Sequence, residues 1–371
     1  MKPAGARSHT DEAGSHVAGR GSAAIDFGRS MLVVRARWAG IEARVAVRSL
    51  VVCGLLLVAA LAVAVIALGT GDYAIAPGRV LRALFVGDNR FDQLVVREWR
   101  APRILLALLL GAALGVSGAI LQSVTRNPLG SPDLVGFNSG AYTGALLVIL
   151  VLGGGRYETA MGAVLGGLGT AMAIHLLALR HNVSGYRLII VGIGIGAMLA
   201  SVNTWLILRA DLDSAMSAAA WGAGSLNGLT WAQVLPAVVV LTGLTAALIP
   251  LAPRLHVLEL GDELAHAAGL RVGRTRLTLI VLSVAFTAVA TAVAGPIAFV
   301  ALAAPQLGRR LARTPGTALA PAAAMGALLL IACDWIAQRA FAPTNLPVGV
   351  VTVSIGGLYL AYLLVAEARR K

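Results

Sequence analysis

Most side chains here that could do chemistry are arginines, and they come in two sets. One set lies between two long apolar runs, in Leu255–Arg276 with Arg254 just before it. It combines Arg254, Arg271, Arg274 and Arg276 with His256, Glu259, Asp262, Glu263 and His266. The other set spans Gly71 to Arg103, where Arg79, Arg82, Arg90, Arg97, Arg100 and Arg103 alternate with Asp72, Asp88, Asp92 and Glu98. Neither contains a nucleophile–base pair, an HExxH pattern or a Gly-x-Ser-x-Gly elbow. The histidines His9, His16, His175, His181, His256 and His266 are scattered, so no metal-ligand spacing arises. The only lysines are Lys2 and Lys371. A P-loop needs a lysine after its glycine turn, so if this protein uses ATP, another chain binds it. Inside the apolar runs, Asp334 and His175 are the ionisable groups that an ion-coupled carrier would need.

The elements that position these groups follow from composition. Of 371 residues 58% are hydrophobic and 13% charged, with mean hydropathy +0.83. This is the signature of an all-α polytopic membrane protein, because backbone in lipid must satisfy its own hydrogen bonds. Apolar runs near 50–68, 103–122, 135–152, 159–179, 187–208, 232–252, 277–295, 298–308, 318–338 and 347–365 predict about ten helices, the eighth too short to cross alone. Residues 1–48 predict a disordered cytoplasmic tail and 49–371 the transmembrane domain. Cys53 and Cys333 both fall in apolar runs, so no disulfide framework is implied. The net charge of +13 sits largely in the tail and the loops. It reads as membrane orientation, with both termini inside, and not as a nucleic-acid surface.

Charge keeps the Leu255–Arg276 stretch out of hydrocarbon, and its punctuation predicts two short helices with a bend on the inner face. Asp262 is positioned to cap the second, which carries Leu264 and Ala265, and Gly269 to end it. Gly261 separates it from the turn holding Leu258 and Leu260. The arginines on the other side are either a snorkelling surface helix or a docking face for an acidic partner. Within the spans, Gly111, Gly115 and Gly118 form a packing stripe. Asn138, Gly192, Gly196, Ser201 and Asn203 are either interhelical contacts or the lining of a wet path.

Several motifs then fall into one order. They are Arg100–Ala101–Pro102–Arg103, Gln122 with Arg126–Asn127–Pro128–Leu129, Gly136 with Gly140–Ala141, and Trp221–Gly222 with Gly224–Ser225–Leu226. Leu260–Gly261 with Ala265 and Gly269–Leu270, Gly295–Pro296–Ile297 with Phe299, Pro305 with Arg309, and Leu346–Pro347–Val348–Gly349 complete the set. Together they resemble, from about Leu50 to the end, the permease subunits of bacterial ATP-binding-cassette importers (type II) for ferric siderophores, cobalamin and haem. The resemblance implies ten helices per permease and a pair of permeases around a translocation path. It implies two separate ATPase subunits holding ATP and magnesium, with no cofactor on this chain, and an external binding protein delivering substrate through the cytoplasmic membrane. It assigns the stretch at about 255–270 (Leu258, Leu260, Gly261, Asp262, Glu263, Leu264, Ala265, Gly269, Leu270) to the ATPase-coupling helices. Arg100, Arg103 and Arg339 would meet carboxylates of the binding protein.

The chain departs from the family in carrying Gln306 after Pro305, Asn345 before Leu346, and the ending Ser354–Ile355–Gly356–Gly357–Leu358–Tyr359–Leu360. That ending is most similar to the second permease of catecholate-siderophore importers. It favours ferric siderophore over cobalamin or haem, and a homologous as well as an identical partner permease. The rival of another class is an ion-coupled secondary transporter using Asp334 or His175.

Overall fold

The computed structural model describes residues 31–36, 41–71, 73–86, 89–179, 185–340, 342 and 344–368. It contains two units, Met1–Ala46 and Val47–Lys371. In the first, β1 (Met31–Ala36) pairs antiparallel with β2 (Ile41–Ala46), Met31 opposite Ala46 and Ala36 opposite Ile41. This strand pair lies inside the stretch that composition assigns to an unstructured tail. Residues 1–30 and 37–40 of that stretch, with Lys2, His9 and His16, lie outside the described residues, as do Asp72, Asp88, Arg180, His181 and Arg369–Lys371.

The second unit is helical. Its elements are α1 (Val47–Gly69), α2 (Pro77–Phe85), α3 (Arg90–Gln93), α4 (Ala101–Thr125), α5 (Phe137–Leu146), α6 (Arg156–Leu179), α7 (Gly185–Arg209) and α8 (Leu212–Gly222). After them come α9 (Trp231–Leu248), α10 (Ala252–Glu259), α11 (Asp262–Ala267), α12 (Val272–Ala294), α13 (Val300–Ala312), α14 (Leu319–Arg339) and α15 (Val348–Ala368). Among the described residues seven helical stretches are long and apolar enough to cross a membrane, and Phe137–Leu152 and Val348–Tyr362 are shorter apolar helices. With the 13-residue α13 these occupy the ten predicted positions.

Helix α4 is the axis of the bundle. A π-helical turn, Leu94–Arg100, joins it without a break to α3, making one helix from Arg90 to Thr125. It packs on α14, α12, α13 and α9. Its predicted glycine stripe is where those neighbours come closest. A Cβ on Gly111 would lie 2.4 Å from the Gly326 oxygen, one on Gly115 2.1 Å from the Ala322 oxygen, and one on Gly118 1.7 Å from the Ala301 oxygen. Hydrocarbon offers no exclusion force between helices, so attraction requires this direct backbone contact. Polar contacts supplement it: Ser117 Oγ donates to the Ser283 carbonyl of α12 at 2.6 Å, and Ser283 Oγ returns a bond to the Ser117 carbonyl at 2.9 Å.

Around this axis, α5 and α6 pair through small residues as well, Gly144 lying against the Gly162 backbone and Gly166 against Gly140. Helix α12 ends at Gly295, and Pro296 prevents its continuation. The chain then turns through Phe299, a non-glycine residue at φ 68°, whose N–H donates to Asp133 Oδ2 at 2.8 Å. That bond ties the start of the short α13 to the loop between α4 and α5. Helix α8 ends at Gly222, where Trp221 stacks on Tyr142 at 5.9 Å between ring centroids.

The packing ranks its glycines. Gly115→Val should force α14 away from α4, an overpacking cost of about 1–3 kcal/mol or more. It is expected to lower the melting temperature in detergent and deplete the monodisperse peak in size-exclusion chromatography. Gly243 on α9 has nothing within 4 Å of a built Cβ, so Gly243→Ala should leave the melting temperature unchanged or raise it.

Candidate functional site

The Leu255–Arg276 stretch folds into the predicted pair of short helices. Pro253 opens α10, which buries Leu255 and Leu258 against the bundle. The chain reverses at Gly261, whose φ of +114° an L side chain would resist, and enters α11. Helix α11 closes as a Schellman motif on Gly269 (φ +79°). The Gly269 N–H bonds the His266 carbonyl at 2.9 Å and the Leu270 N–H bonds the Ala265 carbonyl at 3.0 Å. Ala265 is fully buried under the bend, whereas Leu260 and Leu264 stand out from it, 66% and 58% exposed. Glu263 is exposed beside them.

Asp262 has a different task from the predicted cap. It is the first residue of α11, Gly261 stands at the N-cap, and no side-chain cap bond forms. Its Oδ1 instead accepts from Arg126 Nη2 at 2.6 Å and Arg276 Nη2 at 2.8 Å. Arg126 ends α4 in a left-handed conformation (φ 51°), and Arg276 lies in the second turn of α12. Two cations compete successfully with one local N–H for the carboxylate, because charge-assisted bonds are the stronger. On the other side of the bend, Glu259 accepts from the Thr317 backbone N–H at 3.2 Å and from its hydroxyl. The bend is thereby tied to α4, to α12 and to the α13–α14 connection. Sequence reading missed Arg126, Arg276 and Thr317 as partners. The one available signal was that Asp262 is an acid in a stretch dominated by arginine.

At the opposite end of the bundle the structure brings Arg100, Arg103 and Arg339 around one concavity of ≈ 230 Å³, with Tyr73, Trp99 and Gln338. Their states differ. Arg100 donates from Nη1 to the Leu68 carbonyl and from Nη2 to the Tyr73 carbonyl, both at 2.7 Å, holding the turn after α1. Arg103 is committed internally: its Nε and Nη2 form a fork on Asp334 at 2.9 and 2.7 Å, and Nη1 donates to Asn227 Oδ1 at 2.5 Å. Gln338 Nε2 completes the shell of Asp334 at 2.9 Å. Arg103, expected to meet carboxylates of a binding protein, is held in this structure by the Asp334 carboxylate. Asp334, the proposed ion-coupling group, is 1% exposed and neutralised by the same fork. Arg339 is half-buried and has no hydrogen-bond or ion-pair partner among the described residues.

The residues suggested as a wet path separate into two kinds. Gly192 and Gly196 of α7 lie against the Val135 and Gly136 backbone, and Asn203 is buried, accepting from Thr143 Oγ1 at 2.7 Å and donating to the Ser139 carbonyl at 3.3 Å. These three make interhelical contacts between α7, α5 and the segment before it. Ser201 is exposed on α7 and bonds its own helix at the Ala197 carbonyl, while Asn138 is half-buried and accepts from Thr291 at 3.4 Å.

Known proteins share this architecture. The pattern defining the FecCD transport family matches residues 55–366. The ferric enterobactin transport system permease protein FepG of Escherichia coli is 48% identical over 324 residues, covering 87% of this chain and 98% of that protein. The achromobactin transport system permease protein CbrC of Dickeya dadantii is 37% identical, covering 84% and 90%. Among solved structures, an inward-facing metal-chelate type ABC transporter superposes with a TM-score of 0.76 at 28% identity, covering 85% of this chain and 99% of its own.

The Arg103–Asp334 fork can be weighed directly. Asp334→Ala should cost about 3–5 kcal/mol by stranding a buried guanidinium, read as a lower melting temperature in detergent. The double variant Arg103→Met with Asp334→Leu should recover most of that loss, because no unpaired charge remains.

Proposed function

The chain belongs to the FecCD transport family, and we propose that it is the membrane permease subunit of an ATP-driven importer that carries a ferric siderophore across the bacterial cytoplasmic membrane. The observation that carries this reading is the match, at 48% identity over 87% of this chain, to a permease named for ferric enterobactin. On this reading the α10–α11 end faces the cytoplasm, with both chain termini on that side. Arg126, Arg187, Arg254, Arg271, Arg274, Arg309, Arg310 and Arg313, in helix ends and connections assigned to that side, fit the excess of positive charge expected there.

The mechanism is alternating access driven from the bend. Two separate ATPase subunits bind ATP and magnesium, and each receives the exposed Leu260 and Leu264 of one permease in a groove. The second permease is a copy of this chain or a homologue. When the ATPases close, the bend is displaced, and the Asp262 fork carries that displacement to α4 and α12. Glu259 carries it to the α13–α14 connection at the same time. Because α4 contacts α13 and α14 backbone to backbone, it moves with them as a packed unit, and the interface between permeases opens on one side or the other. Outside, a binding protein delivers substrate, and its carboxylates meet Arg339 and the exposed edge of Arg100. Arg103 supports that surface from within, through Asp334. Ser201 and Asn138 are the two suggested path residues that keep exposure suited to a lining role.

This division of labour separates by mutation. Leu264→Asp should abolish co-purification of the ATPase subunit. Arg276→Gln should keep the complex intact and lower uptake by about 5- to 150-fold at retained ATP hydrolysis, the range of ordinary coupling energies. Arg339→Glu should weaken capture of the binding protein, measured by surface plasmon resonance, without loss of the ATPase. Normal uptake by both Arg276→Gln and Arg339→Glu would overturn the assigned roles.

A further inference from the structure

Three arginines near the bend are not used by it. Arg254 in the first turn of α10, Arg271 before α12 and Arg274 in its first turn line a hollow of ≈ 400 Å³ together with Leu251, Gly269, Leu270, Thr275 and Thr278. All three are exposed, and none of their guanidinium groups has a hydrogen-bond or ion-pair partner among the described residues. No Asp or Glu lines the hollow. This sets them apart from Arg126 and Arg276 nearby, whose charge Asp262 absorbs. A concentration of unneutralised guanidinium groups around a concave surface is suited to a phosphate ester.

The surroundings identify the kind of phosphate ester. Thr278 lies nearly two turns into α12, and from it Val281, Ala285 and Val289 follow at helical spacing on one strip that remains exposed or half-exposed. That strip is apolar and runs from the hollow into the depth of the membrane. A ligand with its phosphate among the arginines therefore has a hydrocarbon-facing track for an attached chain. Basic hollows between helices at the cytoplasmic interface are where anionic headgroups are held.

We propose that Arg254, Arg271 and Arg274 form a binding site for an anionic phospholipid of the inner leaflet, with the phosphate in the hollow and an acyl chain along the exposed strip of α12. The assignment to the inner leaflet rests on the proposed orientation. Gly269 and Leu270, which close the α11 helix, line the site. A bound headgroup thus braces the C-terminal end of the coupling bend, as Asp262 braces its start.

The test uses the intact importer, purified in detergent and stripped of lipid. Native mass spectrometry counts retained dioleoyl-phosphatidylglycerol against dioleoyl-phosphatidylcholine. The wild-type complex should prefer phosphatidylglycerol, and each arginine replaced by glutamine should weaken that preference about fivefold, on the order of a hundredfold for R254Q/R271Q/R274Q. The triple lysine variant should retain most of it, which separates loss of charge from loss of fold. An unchanged preference in the triple glutamine variant overturns the proposal. So does displacement of phosphatidylglycerol by soluble glycerol 3-phosphate at equal concentration, which would make the hollow a site for free phosphate esters. Loss of the ATPase subunit from the triple glutamine variant with phosphatidylglycerol retained overturns it in favour of a protein contact. Orientation is checked separately with Arg274→Cys in a chain whose Cys53 and Cys333 are replaced by alanine. Labelling by an impermeant maleimide from outside intact cells would refute the inner-leaflet assignment, even if the lipid preference stood.

Discussion

Everything in this bundle depends on how closely α4 can be approached. In water, burying side chains would hold α13 and α14 against it, but between helices already surrounded by hydrocarbon that force is absent. Contact must supply the attraction, and contact at the density of a protein interior requires the backbones themselves to meet. Gly111, Gly115 and Gly118 allow this on three successive turns. Because each would-be Cβ lies well inside contact distance of a neighbour's carbonyl, the interface has almost no slack. Motion of α4 relative to α14 is correspondingly restricted, and the group acts as a rigid body.

Rigid packing at the centre leaves the ends to carry ionic connections, and each end centres on one carboxylate. Asp262 joins the bend to α4 and α12 through two arginines, and Asp334 joins α4 to α14 and to the Ser225–Gly228 segment through Arg103, Asn227 and Gln338. The two differ in burial. Asp262 is partly exposed, so its pairs can stretch and re-form at modest cost in a high-dielectric setting. Asp334 is buried, so separation of its pair would strand charge away from water. A compliant joint at one end and a fixed one at the other suits a subunit driven from one side.

Much of the bend was legible in the sequence. Charge excluded it from hydrocarbon, and Gly261 and Gly269 punctuated it at the spacing of one short helix. The role of Asp262 was misread because local capping is a rule of nearest neighbours in the chain. Its actual partners, Arg126 and Arg276, arrive through the fold, one of them 136 residues away. The same limit applies to Arg103. Its place beside Arg100 made it look like a surface cation, and only the approach of α14 supplied Asp334 from 231 positions further on. Asn203 and the glycines of α7 offered no local sign to distinguish glue from lining.

The sequence alone determined membrane insertion, the order of about ten apolar spans, the absence of a P-loop lysine and the location of the bend in Leu255–Arg276. These follow from hydropathy, residue inventory and backbone preference, which act over a turn or two of chain. Tertiary structure alone decided which charges are spent and which remain. An arginine donates to whatever carboxylate folding brings within about 3 Å, and that distance is set by helix packing across the whole chain. Arg103 and Arg276 are spent in this way, while Arg254, Arg271, Arg274 and Arg339 keep their charge available.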